Sequence, residues 1–246
     1  MPAPSIGTAP AMVLNDPSAY RRCEELELMA ELLPLSGADV IELGCGAAFV
    51  TRALTERLGA ARVTATEVDR IQHEKNLALD LPGVSFRYGG AEAIDAPDGS
   101  FDGALMLKSL HHVPAALMDQ ALGEVYRVLK PGGWLYCSEP VYWGPFNEVM
   151  RLIDDERVVR EAAFAALTRA VEQGRFALEA EVFFQSEGVY PDWDGFAARF
   201  IHVTHSPRDL SAGRIAEIRA AFEAHLQPGG ARFLKPHRVD LMRKVG

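Results

Sequence analysis

The chain has 246 residues, 48% of them hydrophobic, and a formal net charge of -9; with a mean hydropathy near zero and a pI near 5.3, this is the balance of one soluble globular domain built on a single main core. The acidic excess speaks against a nucleic-acid partner, whose phosphates need a basic face, and the densest basic stretches are only Arg21-Arg22 and Arg243-Lys244. No apolar run approaches the ~20 residues that span a bilayer.

The Pro- and Ala-rich N-terminus through Val13 lacks the charged and then apolar pattern of a secretory signal, so a cytoplasmic protein without a membrane partner is expected. Three widely spaced cysteines, Cys23, Cys45 and Cys137, read as reduced thiols rather than a disulfide framework or a zinc cluster.

Asp16-Pro17 resembles a helix N-cap followed by proline at the first helical position, with Cys23, Leu26, Met29, Ala30 and Leu33 as the inward stripe. After a turn at Ser36-Gly37 comes Val40-Ile41-Glu42-Leu43-Gly44-Cys45-Gly46-Ala47-Ala48, an apolar run that stops at an acid and then at two glycines. It predicts a buried strand and a tight turn into a helix. The glycines allow conformations and close ligand approach that other residues forbid. Val50, Leu54 and Leu58 carry the helix stripe, and Gly59 ends it.

Strands are expected at 62–67, 84–88, 101–107 and 134–139, with helices over 71–81 and from Pro114 through Leu129, where Leu117, Ala121, Val125 and Leu129 face inward. Strict alternation of strand and helix from 39 to 139 implies right-handed crossovers and a mainly parallel sheet covered on both faces. The fold class is therefore α/β, doubly wound. Residues 146–173 read as strongly helical, 176–184 as a strand, 193–226 as mostly helical and 238–244 as a returning strand. The expected organisation is one catalytic domain over 1–246: a cofactor-binding core at 36–140, a mainly helical lid and acceptor region at 141–230, and a return to the core sheet at 231–246.

Ligands of such sheets bind beyond the carboxyl ends of the strands, near the switch in strand order. That directs attention to Glu42 and the glycine turn after the first strand, Glu67 after the second, and Lys108, Ser109, His111 and His112 after the fourth. Glu67 is placed to accept from ribose hydroxyls. Phe49 stands where a dinucleotide fingerprint needs its third glycine, which disfavours a nicotinamide dehydrogenase. The chain has no phosphate loop, no nucleophile elbow and no C-x-x-C.

Five ordered runs, VIELGCGAA, VTATEVD, GGAEAIDAPDGSFD, LKSLHHV and EVYRVLKPGGWLYCSEP, resemble the motifs of class I S-adenosylmethionine-dependent methyltransferases of the small-molecule type, over about residues 36–140. The resemblance implies a Rossmann-like core, S-adenosylmethionine as cofactor and a small-molecule methyl acceptor. It implies that Gly44, Cys45 and Gly46 pass along the methionine and ribose, that Glu42 helps hold the methionine amino group, and that Glu67 chelates the ribose diol. Val68 would pack on the adenine, the backbone at Ala91 would address the adenine edge, and Lys108 would contact the cofactor through its backbone. Ala48 replaces a frequent third glycine. Gly90 replaces a frequent aspartate that accepts from the adenine amino group, leaving Glu92 or a water to do so.

His111 is the candidate base or orienting group. His111 and His112, being adjacent, are expected to point in different directions, and no metal site is expected from them. His202 and His205 could meet at i, i+3 but have no further ligand in view. The acceptor pocket is expected from the N-terminal helix and the region after Pro140, with Tyr20, Tyr142, Trp143, Phe146, Phe200 and His202 as candidate walls and Glu139 and Glu148 as possible cation readers or bases. The aromatic content suggests a small, partly apolar acceptor. An Asn/Asp-Pro-Pro-aromatic run, which in related enzymes accompanies methylation of amide or exocyclic nitrogens, is absent after strand four. The rival readings are a protein of this fold that binds the same cofactor for other chemistry, such as decarboxylation or cyclisation, and a sensing or partner-binding protein without turnover.

Overall fold

The computed structural model describes residues 12–201 and 210–246. In chain order the elements are β1 (Arg21–Arg22), α1 (Glu25–Leu32), β2 (Asp39–Leu43), α2 (Phe49–Glu56), β3 (Arg62–Glu67), α3 (Arg70–Leu77), β4 (Val84–Tyr88), β5 (Phe101–Leu107), α4 (Met118–Val128), β6 (Leu129–Pro140), α5 (Gly144–Ile153), α6 (Arg157–Glu172), β7 (Phe176–Tyr190), α7 (Trp193–Phe200), α8 (Ala212–Glu223), β8 (Leu226–Gln227) and β9 (Gly230–Lys244). The described strands form one sheet ordered β1-β7-β9-β6-β5-β2-β3-β4, with β8 on β9.

β4, β3, β2, β5 and β6 are mutually parallel, whereas β9 runs antiparallel to both β6 and β7. The chain winds outward through β2, β3 and β4, then returns to β5 on the other side of β2. The switch point therefore lies between β2 and β5. This is the expected doubly wound, mainly parallel α/β sheet.

Strand alternation sorts the core into two layers. Ile41, Leu43, Ala104 and Met106 face α4 and α6, where Leu122, Val125, Ala166 and Leu167 are fully buried. Val40, Val63, Leu105 and Tyr136 face α1 and α2, meeting Leu28, Met29 and Leu54. Gly103 is bare because the Trp134 indole lies against it; a Cβ there would collide with the ring.

The first helix begins later than expected. Asp16 accepts from the backbone N–H and hydroxyl of Ser18 at 2.9 and 2.6 Å, so its side chain closes a local turn instead of capping a helix. The helix starts at Glu25, where Glu27 reaches back to the Glu24 N–H at 3.0 Å. Its buried residues are Leu28 and Met29, and Ala30 is exposed. The later start leaves Arg21–Arg22 free to pair with β7. Of the expected inward stripe, Ala121, Val125 and Leu129 are fully buried, joined by Met118 and Leu122, while Leu117 is only partly covered.

The largest difference is beyond Pro140. The expected long helix is broken at 154–156 into α5 and α6. α6 packs on the core, and the first half of β7 completes the sheet. β7 and β9 are each 15 residues long, and their far halves overshoot β6, pairing Gly188 with Phe233 and Tyr190 with Ala231. Pro236 interrupts nothing, because it lies where β6 has ended and its carbonyl accepts from Val141 N at 3.0 Å. The overshoot, with α5, α7 and α8, encloses a third, aromatic core of Phe196, Phe222, Phe233 and Tyr190. His202 and His205 lie outside the described residues, as does most of the N-terminal stretch before Val13. Among the described residues no helix is long and apolar enough to cross a membrane.

Candidate active site

The residues singled out after β2, β3 and β5 converge on the carboxyl-end rim at the switch point. Gly44 and Gly46 have φ of 77° and 51°, in the left-handed region that glycine enters without strain. The backbone N–H groups of Gly44 and Cys45 both donate to the Thr66 carbonyl, at 3.0 and 2.9 Å, which ties the turn to β3. A Cβ on Gly44 would sit 2.8 Å from the Ser109 Cβ, whereas one on Gly46 would meet nothing. Gly44 is thus required by the neighbouring β5 loop and Gly46 by its backbone angle. Among the described residues only Ala48 and Lys108 are non-glycines with positive φ, at 58° and 57°. They flank the switch point from either side, at a cost of about 1–2 kcal/mol each.

Glu67 is buried to 8% exposure. Its Oε2 accepts from Gly46 N at 2.8 Å, and its Oε1 from Val68 N and Asp69 N at 2.8 and 2.9 Å. A carboxylate has about four acceptor sites, so roughly one remains for a ligand hydroxyl; gripping both hydroxyls of a diol requires release of a backbone donor such as Gly46. Val68 is 58% exposed and Phe49 74%, two apolar faces beside the turn that suit a flat heteroaromatic ring.

Glu42 is buried and accepts from the Thr51 hydroxyl at 2.6 Å. Burial, with the charge of Glu67 nearby, pushes its carboxyl up to about 7 against the effect of Thr51. Burial and the same two acids push the Cys45 thiol up to about 12, so Cys45 is an inert neutral lining. Two supports of this turn escaped the sequence reading. Thr51 follows one turn into α2, and Asn76, 1% exposed on α3, donates to the Gly46 carbonyl at 2.7 Å and approaches Cys45 Sγ at 3.5 Å.

Ala91 is buried within the core layer, leaving its backbone as the only part able to meet a ligand. Gly90 is informative: a Cβ there would collide with the Glu92 carboxylate. The Glu92 carboxylate thus already lies in the space above residue 90.

Lys108 N donates to the Ser138 carbonyl at 2.7 Å, and its ammonium lies 3.1 Å from Glu25 on α1. Glu25 also accepts from Tyr136 OH at 2.8 Å and Ser138 Oγ at 3.1 Å. α1 is therefore pinned across the ends of β5 and β6 by an acid with no sequence motif. Ser109 Oγ is buried and has no hydrogen-bond partner among the described residues.

His111 is 4% exposed, in a short turn of 3-10 helix over Leu110–His112. Its Nδ1 is hydrogen-bonded to Glu139 Oε2, and Glu139 Oε1 accepts from Leu110 N at 3.0 Å. The two histidines do not point apart, contrary to expectation. Their ring centroids are 4.1 Å apart, because the 3-10 turn and the buried Glu139 fold His111 back toward its neighbour. His111 Nε2 is 4.0 Å from Glu156 Oε2, and one ligand atom from each of His111, His112 and Glu156 lies within 4.8 Å of the others. Although the His112 side chain is exposed on one side, desolvation on its packed side and the neighbouring His111 lower its pKa. Burial acts to raise that of Glu156, but the charge and hydrogen bond of Arg160 hold it below the usual value.

Of the candidate walls, Tyr20 and Trp143 stack at 5.0 Å, with Phe183 edge-on to Tyr20 at 5.5 Å. Phe146 and Phe200 pack into the separate aromatic core, Tyr142 lies beside Arg157, and Glu148 pairs with Arg151 on the surface. A cleft of about 660 Å³ lined by Asp119, Gln120, Tyr126 and Arg175, and another of about 420 Å³ at the opposite strand ends, beside Gly37, Asp102 and Gly133, contain none of these groups.

The family described as a methyltransferase domain matches residues 40–133, which encloses the glycine turn, Glu67, Glu92 and both histidines. A demethylmenaquinone methyltransferase of Listeria monocytogenes is 34% identical over 118 residues, covering 46% of this chain and 49% of that protein. A ubiquinone/menaquinone biosynthesis C-methyltransferase of Methylobacterium nodulans is 45% identical over 142 residues, covering 57% of this chain and 53% of that one. The chain thus spans about half the length of these curated relatives. The solved YcgJ protein of Bacillus subtilis superposes with a TM-score of 0.64 at 19% identity, over 90% of this chain and 98% of that one, a likeness of fold.

Proposed function

We propose that the chain, whose residues 40–133 match a methyltransferase domain, acts as a class I S-adenosylmethionine-dependent methyltransferase that methylates a small, partly apolar molecule and releases S-adenosylhomocysteine. The observation that carries this reading is the junction of the glycine turn with Glu67: Gly46 N, Val68 N and Asp69 N all converge on one carboxylate at the switch point. When bound, S-adenosylmethionine supplies an already activated methyl group, open to in-line attack. The residues present fit it. Gly44 and Gly46 allow close backbone approach, Glu67 has acceptor capacity for ribose, and Val68 and Phe49 offer apolar faces to adenine. Glu92 takes the part of the acid missing at Gly90, its carboxylate already lying above that residue. Glu42 is the acid for the methionine amino group.

The chain's contribution to the transfer is positional: it holds the acceptor in line at about 3–3.5 Å and excludes water. Lys108 and Ser109 form the rim facing the reacting end, with Glu25 clamping Lys108 from above. His111, held through Nδ1 by the buried Glu139, is an orienting group behind the acceptor side rather than a group in contact with the acceptor. The stacked Tyr20 and Trp143 support a flat, partly apolar acceptor, in keeping with the quinone acceptors named for the relatives. Calorimetry tests the donor: S-adenosylhomocysteine should bind and NAD should not, and the reverse result would overturn the reading. Transfer of label from methyl-labelled cofactor into a metabolite extract, with mass identification of the product, tests the turnover.

A further inference from the structure

His111 and His112 from the turn after β5, and Glu156 from the start of α6, are three groups of metal-ligating type that the donor site does not employ. One ligand atom from each lies within 4.8 Å of the others. Two features make this more than a chance meeting of polar side chains. First, Glu139 is bonded to His111 Nδ1 and is itself anchored by Leu110 N; this is the carboxylate–histidine arrangement that fixes the tautomer and turns the Nε2 lone pair toward an ion. Second, the Glu156 carboxylate is held by Arg160, 2.7 Å from Oε2, and Arg160 is in turn held by Asn147 Oδ1 at 3.1 Å. Both the buried histidine and the carboxylate are therefore oriented by partners of their own.

We propose that His111, His112 and Glu156 form a site for a divalent transition-metal ion of the class that favours imidazole with carboxylate, such as zinc, cobalt or nickel. Two imidazole nitrogens and one oxygen are too soft a set for magnesium or calcium. Ligand atoms around a tetrahedral ion with bonds of ~2.1 Å stand about 3.3 Å apart, so closing the 4.0 Å between His111 Nε2 and Glu156 Oε2 needs a movement of under about an ångström. His112 is exposed and can rotate to complete the set. Three protein ligands leave a fourth position open, the pattern of sites that take up an exogenous ligand. The Arg160 charge beside Glu156 moderates the affinity.

The site is tested by metal binding to the full chain, which does not depend on methyl transfer. Cobalt(II) titrated into metal-stripped protein should saturate one site with visible ligand-field bands, and zinc should displace it. His112→Ala and Glu156→Gln should each weaken cobalt binding by at least ~10–100-fold, and Glu139→Gln by a similar factor through loss of orientation. His73→Ala, on α3, should leave it unchanged. Circular dichroism melts establish that each variant is folded, and the exposure of His112 makes its removal tolerable. Absence of a saturable cobalt spectrum, or full affinity retained in either His112→Ala or Glu156→Gln, would overturn the proposal.

Discussion

The proposed donor side and the proposed acceptor side of this molecule are built by different rules. On the donor side the groups that matter are contiguous or come from the ends of adjacent parallel strands, and much of the binding surface is backbone: the turn at residues 44–48, the N–H groups gathered by Glu67, and the strand ends at the switch point. On the acceptor side the groups are side chains drawn from distant elements. Glu25 on α1 meets Tyr136 and Ser138 on β6, Glu139 at the end of β6 meets His111, and Glu156 joins from the start of α6. Side-chain assemblies can be exchanged piecemeal, which suits a side proposed to meet the acceptor.

The comparison predicts that damage to one side leaves the other working. The largest effect on stability is expected for Phe196→Ala in the aromatic core, which is fully buried; its loss should cost about 3–5 kcal/mol in denaturant unfolding. S-adenosylhomocysteine affinity should nevertheless change little while the protein is folded. A collapse of affinity in the folded variant would mean that the two sides are one cooperative unit.

Gly44→Ala should act in the reverse sense. It imposes about 1–3 kcal/mol of backbone strain and drives a Cβ to 2.8 Å from the Ser109 Cβ, so cofactor affinity should fall well beyond what the melting temperature records. Equal losses in both would make the turn merely structural.

Glu67→Ala should weaken S-adenosylhomocysteine binding by about 1.5–3 kcal/mol, the range for hydrogen bonds to a charged group. Unchanged calorimetric affinity would remove Glu67 from the site. The smallest expected effect is a pH dependence. The Glu42 carboxyl is raised to about 7 from an ordinary 4.5, so the free protein holds its proton up to about 7 while the unfolded chain has lost it above 4.5. Its contribution to stability is present in full below 4.5 and is lost as pH rises through about 7. A cationic amino group favours the ionised form, so cofactor affinity should strengthen over that same window as the free protein's stability declines. Glu42→Gln should flatten the affinity profile, and a slope unchanged in the variant would assign the titration to another group.

Legibility in the sequence follows the same division. β2, β3, β4 and β5 lie at the expected bounds: β2 and β5 are buried parallel strands that read as short apolar runs, while β3 and the edge strand β4, which has no buried residue, read by their β-branched and aromatic residues. The ends of β7 and β9 were not legible: Gly188 and Pro236 look like breakers, and only the register shows that both fall beyond the end of β6. Asp16-Pro17 was a cap in pattern, but the Ser18 hydroxyl and N–H claimed the aspartate first. Phe146 and Phe200 look like walls of a pocket by composition, yet the overshooting strands give them a core of their own. Asn76 and Thr51 are ordinary helix residues until α2 and α3 are docked against the turn.

By itself the sequence determined the α/β alternation, the identity of the switch-point turn and the donor it suits, since these rest on periodicity and on glycines demanded by local backbone angles. Only the tertiary structure decided how Glu25, Glu139 and Glu156 are partnered and that His111 and His112 converge. Local preferences act over a few residues and are written in them. A carboxylate's partner across about 30 residues of chain or more is set by strand order and register, which no short stretch encodes.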